Sequence, residues 1–307
     1  MRLAKIPIAL VAALALVGCV NDTGRPATSA SNAVVAFPVT VGDLTISQQP
    51  KKIVSLSPSI TEMLYAVGAG KQVTAVDDQS NHPADAPKTD LSGFKPNAEA
   101  IAAKSPDLVV LSNDLNNIVS QLKSLKIPVY VAPAAKKIED SYRQLTDLGL
   151  LTGHRSEASD VVNRMHDDIA KIARDVKPRS KRLTYYHELD PQFYTATSKT
   201  FIGSVYAMVG LDNIADPADA NGAAGGYPQL TAEAIVKANP DLVFLADTKC
   251  CKQNADTVKA RAGWAGLNAV KNNGVVGLDD DIASRWGPRI VDLLRTVADA
   301  VAKVPTT

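Results

Sequence analysis

Short unbroken apolar runs alternate along this chain with longer segments whose apolar residues recur every three or four positions. Lys51–Leu56, Val73–Val76, Leu108–Leu111 and Ile127–Val131 read as strands, bounded by turn residues and too short for helices. Between them Ile60–Val67, Ile118–Leu125 and Ile138–Leu151 read as helices. Ser57-Pro58 suits the start of the first helix, and Gly68 with Gly70 its end. This alternation predicts a mostly parallel sheet covered by helices on both faces. Ahead of it, Val39–Ile46 alternates loosely, as an edge strand or hairpin.

Ser156–Val176 is the clearest helix. Ala158, Val161, Val162, Met165, Ile169 and Ile172 keep helical spacing, and charged residues fill the opposite face. At about 1.5 Å per residue it would run roughly 30 Å. Beyond it the alternation begins again. Lys181–Tyr186, Phe193–Ala196 and Gly274–Leu278 read as strands; Thr200–Val209 and Arg289–Lys303 read as helices, and Val258–Ala269 as helical with turns at Gly263 and Gly266.

One sentence of sequence is written twice, once on each side of the long helix. Asn97–Leu111 reads NAEAIAAKSPDLVVL and Thr231–Leu245 reads TAEAIVKANPDLVFL. Asn97 or Thr231 can cap a short helix, and Glu99 or Glu233 sits in its first turn, where the helix dipole favours negative charge. Pro106 or Pro240 stops that helix. The apolar run that follows reads as a strand buried on both faces. A repeat so widely spaced is no solenoid; it predicts two similar α/β lobes.

The 307 residues, 46% of them apolar, can fill two modest cores. A net charge of +1 with acids and bases intermixed argues against a nucleic-acid partner. The N-terminus is a targeting segment. Arg2 and Lys5 precede the apolar stretch Ile6–Val17, which is too short to span a bilayer comfortably. Leu16-Val17-Gly18-Cys19 resembles a bacterial lipobox, which implies cleavage before Cys19 and lipidation of that cysteine; the alternative is an ordinary signal peptide with an incidental cysteine. The polar stretch after it reads as a tether. The expected division is 1–18 signal peptide, 19–50 tether and first strand, 51–154 N-terminal lobe, 155–178 connecting helix and 179–307 C-terminal lobe.

Cys250 and Cys251 are adjacent in a chain addressed to an oxidising compartment, which points to a vicinal disulfide or to a loop feature near a ligand. Nucleophile-elbow, phosphate-loop and His-Glu-x-x-His motifs are missing, so the sequence offers no enzyme site.

In order, the chain carries SLSPSITEMLYAVGAGKQVTAVDD, NAEAIAAKSPDLVVLSND, the long helix, YYHELDPQFYTATSKTFIGSVYAMVGLDNIAD, TAEAIVKANPDLVFLAD and DDDIASRWGPRIVDLL. This series, covering residues 51–303, resembles the cobalamin and iron-siderophore binding proteins of ABC importers, the class III periplasmic binding proteins. The resemblance implies two Rossmann-like α/β lobes joined by one long α-helix, with a ligand cleft between the lobes and little hinge closure. It implies a monomeric lipoprotein on the extracytoplasmic face of the membrane, without a covalent cofactor beyond its lipid. Such a protein captures a cobalamin or ferric siderophore and delivers it to a permease dimer. It also implies that Glu99 and Glu233, one on each lobe, dock onto permease arginines; helix-dipole glutamates with no partner are the simpler alternative.

Ligands of α/β lobes bind outside the carboxyl ends of the strands. The expected ligand-binding residues are therefore Gln79, His82, Phe94 and Ser112 from the first lobe. From the second they are Tyr186, His187, Glu188, Phe193, Tyr227, Asp281, Arg285 and Trp286. Aromatics offer flat apolar area. Arg285 offers a fork for a phosphate, a carboxylate or a chelate anion, unless it pairs with Asp279–Asp281. Trp286 is either a ligand platform or a packed residue, and Arg289 caps or braces the final helix. His82 and His187 fall in cleft loops of different lobes, which leaves open a bare zinc or manganese site. The first-lobe loops carry no arginine, which disfavours a highly anionic tris-catecholate. A non-transport scavenging or adhesion lipoprotein on the same fold is a further alternative.

Overall fold

Residues 35–305 are described by the structure, a computed structural model. The signal segment, Cys19 and most of the tether lie outside the described residues. β1 (Val39–Val41) and β2 (Leu44–Ile46) pair antiparallel across a two-residue loop. Gly42 in that loop has φ +54°, the left-handed conformation that tight hairpin turns require.

The first parallel sheet contains β3 (Ile53–Leu56), β4 (Val73–Val76), β5 (Leu108–Leu111) and β6 (Val129–Val131), in the order β4-β3-β5-β6. Its helices are α1 (Pro58–Ala66), α2 (Ala98–Ala102), α3 (Ile118–Ser124) and α4 (Ile138–Thr152). α5 (Arg155–Asp175) is the long connector. The second parallel sheet contains β7 (Thr184–Glu188), β8 (Asp212–Asn213), β9 (Leu242–Leu245) and β10 (Val275–Gly277), in the order β10-β9-β7-β8. α6 (Phe201–Ala207), α7 (Ala232–Ala238), α8 (Ala255–Lys259), α9 (Asn268–Lys271), α10 (Asp280–Ala283) and α11 (Ile290–Lys303) accompany it.

The duplicated stretch does the same physical work in both sheets. Leu108 and Val110 of β5 face one apolar cluster, and Val109 and Leu111 face another. In β9, Leu242 and Phe244 face the first cluster, and Val243 and Leu245 a third. Both central strands are therefore apolar at every position, each side chain worth roughly 1.5–3 kcal/mol of burial. Asn97 Oδ1 accepts from the Ala100 amide at 2.9 Å, and Thr231 Oγ1 from the Ala234 amide at 3.2 Å. The repeated aspartate also has a duty in each copy. Asp107 accepts from the Lys51 and Lys52 amides at 2.8 and 2.9 Å, just ahead of β3. Asp241 accepts from the Thr184 amide at 3.0 Å, at the start of β7. Each thus fixes the neighbouring strand against the central one.

One apolar cluster runs through both lobes. It takes in Leu145 and Leu148 of α4, Met165 of α5, Tyr206 of α6 and Leu294 of α11. Close-packed interiors resist sliding, so α5 is a strut set in a shared core.

The segment read as helical over Val258–Ala269 with turns at Gly263 and Gly266 is α8, a single 3-10 turn at Trp264–Gly266, and α9, with the break where Gly263 takes φ +81°. Two local readings of the sequence differ from the fold. Phe193–Ala196 forms no strand; Phe193 has φ +66°, and one bridge joins Tyr194 to Gln229. His187 and Glu188 complete β7 instead of opening a loop.

Candidate functional site

Both sheets direct the carboxyl ends of their strands into loops that carry exposed apolar side chains. Phe94 follows β4 and is 71% exposed; Leu115 follows β5 and is 38% exposed. In the second lobe Tyr194 follows β7 and is 43% exposed, and Tyr227 is 48% exposed in the loop ahead of α7. Gln79 and His82 are exposed and Ser112 partly so. The loops of both lobes thus carry exposed apolar side chains together with exposed polar ones.

Beside this surface the two lobes are bolted together by charge. Glu62, on the second turn of α1, is almost wholly buried. Its carboxylate accepts from Arg285 Nη1 at 2.8 Å, from Arg289 Nε at 2.9 Å and from Arg289 Nη2 at 2.5 Å. Arg285 Nη2 also donates to Gln79 O at 3.1 Å and to Asp281 Oδ1 at 3.0 Å. Gly287 sits between the two arginines, and a Cβ there would stand 3.1 Å from Glu62 Oε2. The absence of a side chain lets the loop approach the carboxylate. Trp286 donates its indole N–H to Gln144 Oε1 at 2.9 Å and its amide to Ser59 Oγ at 3.3 Å. Asn81 Nδ2 donates to Asp281 Oδ2 at 3.2 Å. Burial works to raise the Asp281 carboxyl, but Lys249 and Arg285 outweigh it and hold the group below its ordinary range. A cavity of about 410 Å³ opens beside the bolt, with Glu62, His82, Asp85 and Arg289 on its walls.

Arg285 and Trp286, read from sequence as ligand contacts, are thus occupied in joining the lobes. Arg285 pairs with Asp281 as the alternative reading held, and with a first-lobe glutamate that the sequence reading missed. A signal for it existed: Glu62 lies in SITEMLYA, between Ile60, Thr61, Met63 and Leu64, all buried. A charge in so apolar a helix needs a partner.

Under the second-lobe loops lies another ionic group. Glu188 is fully buried and receives Arg261 bidentately, both bonds 2.6 Å. The guanidinium lies 4.6 Å from the Trp264 ring centroid and 5.4 Å from that of Phe193, and these two rings stack. Asp247, just beyond β9, is fully buried, and its carboxylate oxygens find no hydrogen-bond partner by geometry. Burial first, and then the neighbouring Glu188 charge, push its carboxyl up to about 7. Tyr186 is buried against Trp264, at 6.1 Å between centroids.

Tyr186, His187 and Glu188 were expected to touch ligand, and the structure instead buries all three completely. Phe193 is half covered by Trp264, and Asp281 is taken up by Arg285, Lys249 and Asn81. The reason is the extra length of β7, which carries its last two residues into the core. His187 Nδ1 pairs with the Tyr206 hydroxyl at 2.8 Å, and burial lowers its imidazole to about 4. It therefore does not meet His82, and the bare-metal pair is not formed. Among the described residues no three His, Cys, Asp or Glu side chains converge to hold a metal ion. Cys250 and Cys251 carry free thiols, so of the two readings of this pair the vicinal disulfide is not formed. Their hydrogen bond, with some burial, pushes the Cys250 thiol up to about 12.

The periplasmic binding protein family profile matches residues 53–282. The chain is 32% identical over 306 residues to the ABC transporter substrate-binding lipoprotein YvrC of Bacillus subtilis (strain 168), itself uncharacterized, covering 95% of this chain and 94% of that one. It is 32% identical over 285 residues to the cobalamin-binding protein of Halobacterium salinarum (strain ATCC 29341 / DSM 671 / R1), covering 86% of this chain and 74% of that one. Among solved structures, a possible iron-binding (periplasmic solute-binding) protein from Staphylococcus epidermidis ATCC 12228 superposes with a TM-score of 0.70 at 28% identity. That match covers 83% of this chain and 99% of the other. The chain belongs to the periplasmic binding protein family, and its two lobes, connector helix and interlobe loops are that family's architecture.

Proposed function

We propose that this protein is the extracytoplasmic substrate-binding lipoprotein of an ABC importer and that it captures a bulky metal chelate of the corrinoid, haem or ferric-siderophore kind. The observation that carries this reading is the set of exposed apolar side chains, Phe94 and Leu115 in the first lobe and Tyr194 and Tyr227 in the second, all in loops that follow the carboxyl ends of strands. A water-exposed surface of that kind gains by covering a flat apolar ligand. Relatives named for cobalamin binding and for ABC transport support it. Cys19 is the lipid attachment point in this reading, and Glu99 and Glu233, both exposed in the first turns of α2 and α7, are the permease contacts.

Both tryptophans report on the cleft, Trp286 at the lobe junction and Trp264 under Phe193. Titrating the protein with cobalamin, hydroxamate, catecholate and haem chelates should quench their fluorescence for at least one of the four at micromolar concentration or below. Failure of all four to bind at that level would sink the proposal.

A further inference from the structure

We propose that Cys250 and Cys251 form a further binding site, a dithiol that chelates a trivalent arsenic centre through both sulfurs.

The two thiols are adjacent in sequence, free and open to solvent, Cys250 exposed and Cys251 half-buried. They lie in the loop that leaves the carboxyl end of β9. That loop is held from two sides. The Asp280 carboxylate, at the start of α10, accepts from the Thr248, Lys249 and Cys250 amides at 2.9, 2.9 and 3.0 Å, and from the Thr248 hydroxyl at 2.8 Å. The Asp247 carbonyl accepts from the Cys251 and Gln253 amides at 3.2 and 3.4 Å. Gln253 Nε2 donates back to Cys251 O at 3.2 Å. The backbone that carries the thiols is therefore ordered before anything binds, and a chelator so held loses little freedom on closing around its ligand.

Two sulfurs without further ligands limit what the pair can hold. Among the described residues no three His, Cys, Asp or Glu side chains converge, so a tetrahedral zinc site, which wants about four ligands, is not built here. Sulfur selects soft centres. Charge narrows the choice. Hydrogen bonding with Cys251, then burial, then the Asp280 and Asp247 charges push the Cys250 thiol up to about 12. Of the two flanking lysines, Lys249 is engaged by Asp279 and Asp281, both at 2.8 Å, and Lys252 is exposed. A soft monovalent cation would need both thiolates and would leave a net negative charge beside these carboxylates. Trivalent arsenic does not. An arsenous group, R–As(OH)2, condenses with two neutral S–H groups: two As–O bonds break, two As–S bonds form, and each thiol proton leaves with a hydroxide as water. Arsenic stays trivalent and no charge is created.

The same raised thiol protects the pair. Disulfide exchange runs through the thiolate, so a thiol kept protonated exchanges slowly. A free dithiol can then persist in the oxidising compartment that the lipoprotein reading implies, where cysteines ordinarily pair.

The test uses the full chain carrying Cys19→Ser, which leaves Cys250 and Cys251 as its cysteines. After purification in air, thiol titration in denaturant should count both thiols free. Phenylarsine oxide should add once per chain, with the mass gain of one phenylarsenic group less two hydrogens. The adduct should survive excess 2-mercaptoethanol and be reversed by 2,3-dimercaptopropanol. Cys250→Ser and Cys251→Ser should each weaken binding at least about a hundredfold, because the second As–S bond is no longer intramolecular. Neither side chain is in the core, and circular dichroism checks that each variant folds. Wild-type affinity should change less than about threefold between pH 6 and pH 8, since condensation of neutral thiols releases no proton. A disulfide in the purified protein, an adduct stripped by the monothiol, or equal affinity in a folded single-cysteine variant overturns the site. A rise of about tenfold or more toward pH 8 overturns it as well, by showing that thiolates are the binding form.

Discussion

Glu62 on α1 and Arg289 at the start of α11 meet across 227 residues of chain, with guanidinium Nε 2.9 Å from carboxylate Oε2. This pair ties the first helix of one lobe to the last helix of the other. It lies beside a shared apolar core that already resists hinge motion. Breaking it from the acidic side also leaves Arg285, which is 8% exposed, with only Asp281 and the Gln79 carbonyl for partners. Glu62→Ala should cost about 3–5 kcal/mol, the usual penalty for orphaning a buried charge. Urea denaturation would read this as a lowered midpoint at unchanged slope. A loss under about 1 kcal/mol would mean the pair is not a structural tie.

Asp247 gives the fold a pH dependence whose sign can be worked out. Burial and then Glu188 raise its folded-state carboxyl to about 7, against an ordinary value of about 4 when unfolded. The folded state therefore holds the proton more tightly, and its contribution is fully present at low pH and lost as pH rises from about 4 to about 7. His187 runs the other way. Burial lowers its imidazole to about 4, so its contribution is lost as pH falls below about 6.5. The two effects oppose each other in the wild type, and paired variants separate them. Asp247→Asn should gain stability relative to wild type between pH 5 and pH 8, measured by denaturation at both. An identical pH slope in the two proteins would refute the assignment.

Much of this fold was legible because two patterns recur. The buried strands Leu108–Leu111 and Leu242–Leu245 are apolar at every position, and a capping residue (Asn97 or Thr231), a glutamate and a proline precede each. The site was harder, because its key pairings are between residues far apart in sequence. Glu62 meets arginines more than two hundred positions away, and no local pattern specifies such a contact. Arg261 carried no signal at all; only the fold brings it to Glu188 and the Trp264 and Phe193 rings. His187 and Glu188 look like loop residues beside Asp190-Pro191, yet β7 continues through them and pairs them with Phe244 and Leu245.

The exposed aromatics should matter for cargo and not for folding. Phe94 and Tyr227 are roughly half to three-quarters solvent-facing, so truncating them removes little buried area. Against a flat chelate each would be covered, and loss of such a contact typically costs 1 kcal/mol or more. Phe94→Ala and Tyr227→Ala should each weaken chelate affinity about tenfold in a quenching titration, with thermal midpoints within about 2 °C of wild type. Unchanged affinity in both would move the cargo away from these loops.

Glu99 and Glu233 should separate transport from binding. They occupy equivalent first-turn positions in α2 and α7, each behind a cap whose side chain is already bonded to the helix amide. Both are exposed, neither forms an ion pair among the described residues, and surface charges of that kind add little to stability. A pair of matched exposed acids, one on each lobe, fits a partner carrying two basic patches, recognised by complementary charge. Glu99→Arg combined with Glu233→Arg should therefore leave folding and chelate affinity as they are and abolish uptake by cells expressing the importer. Each single reversal should reduce uptake in part, since one lobe still engages. Loss of chelate affinity in the double variant would place these residues in the cargo site, and normal uptake would remove them from the permease interface.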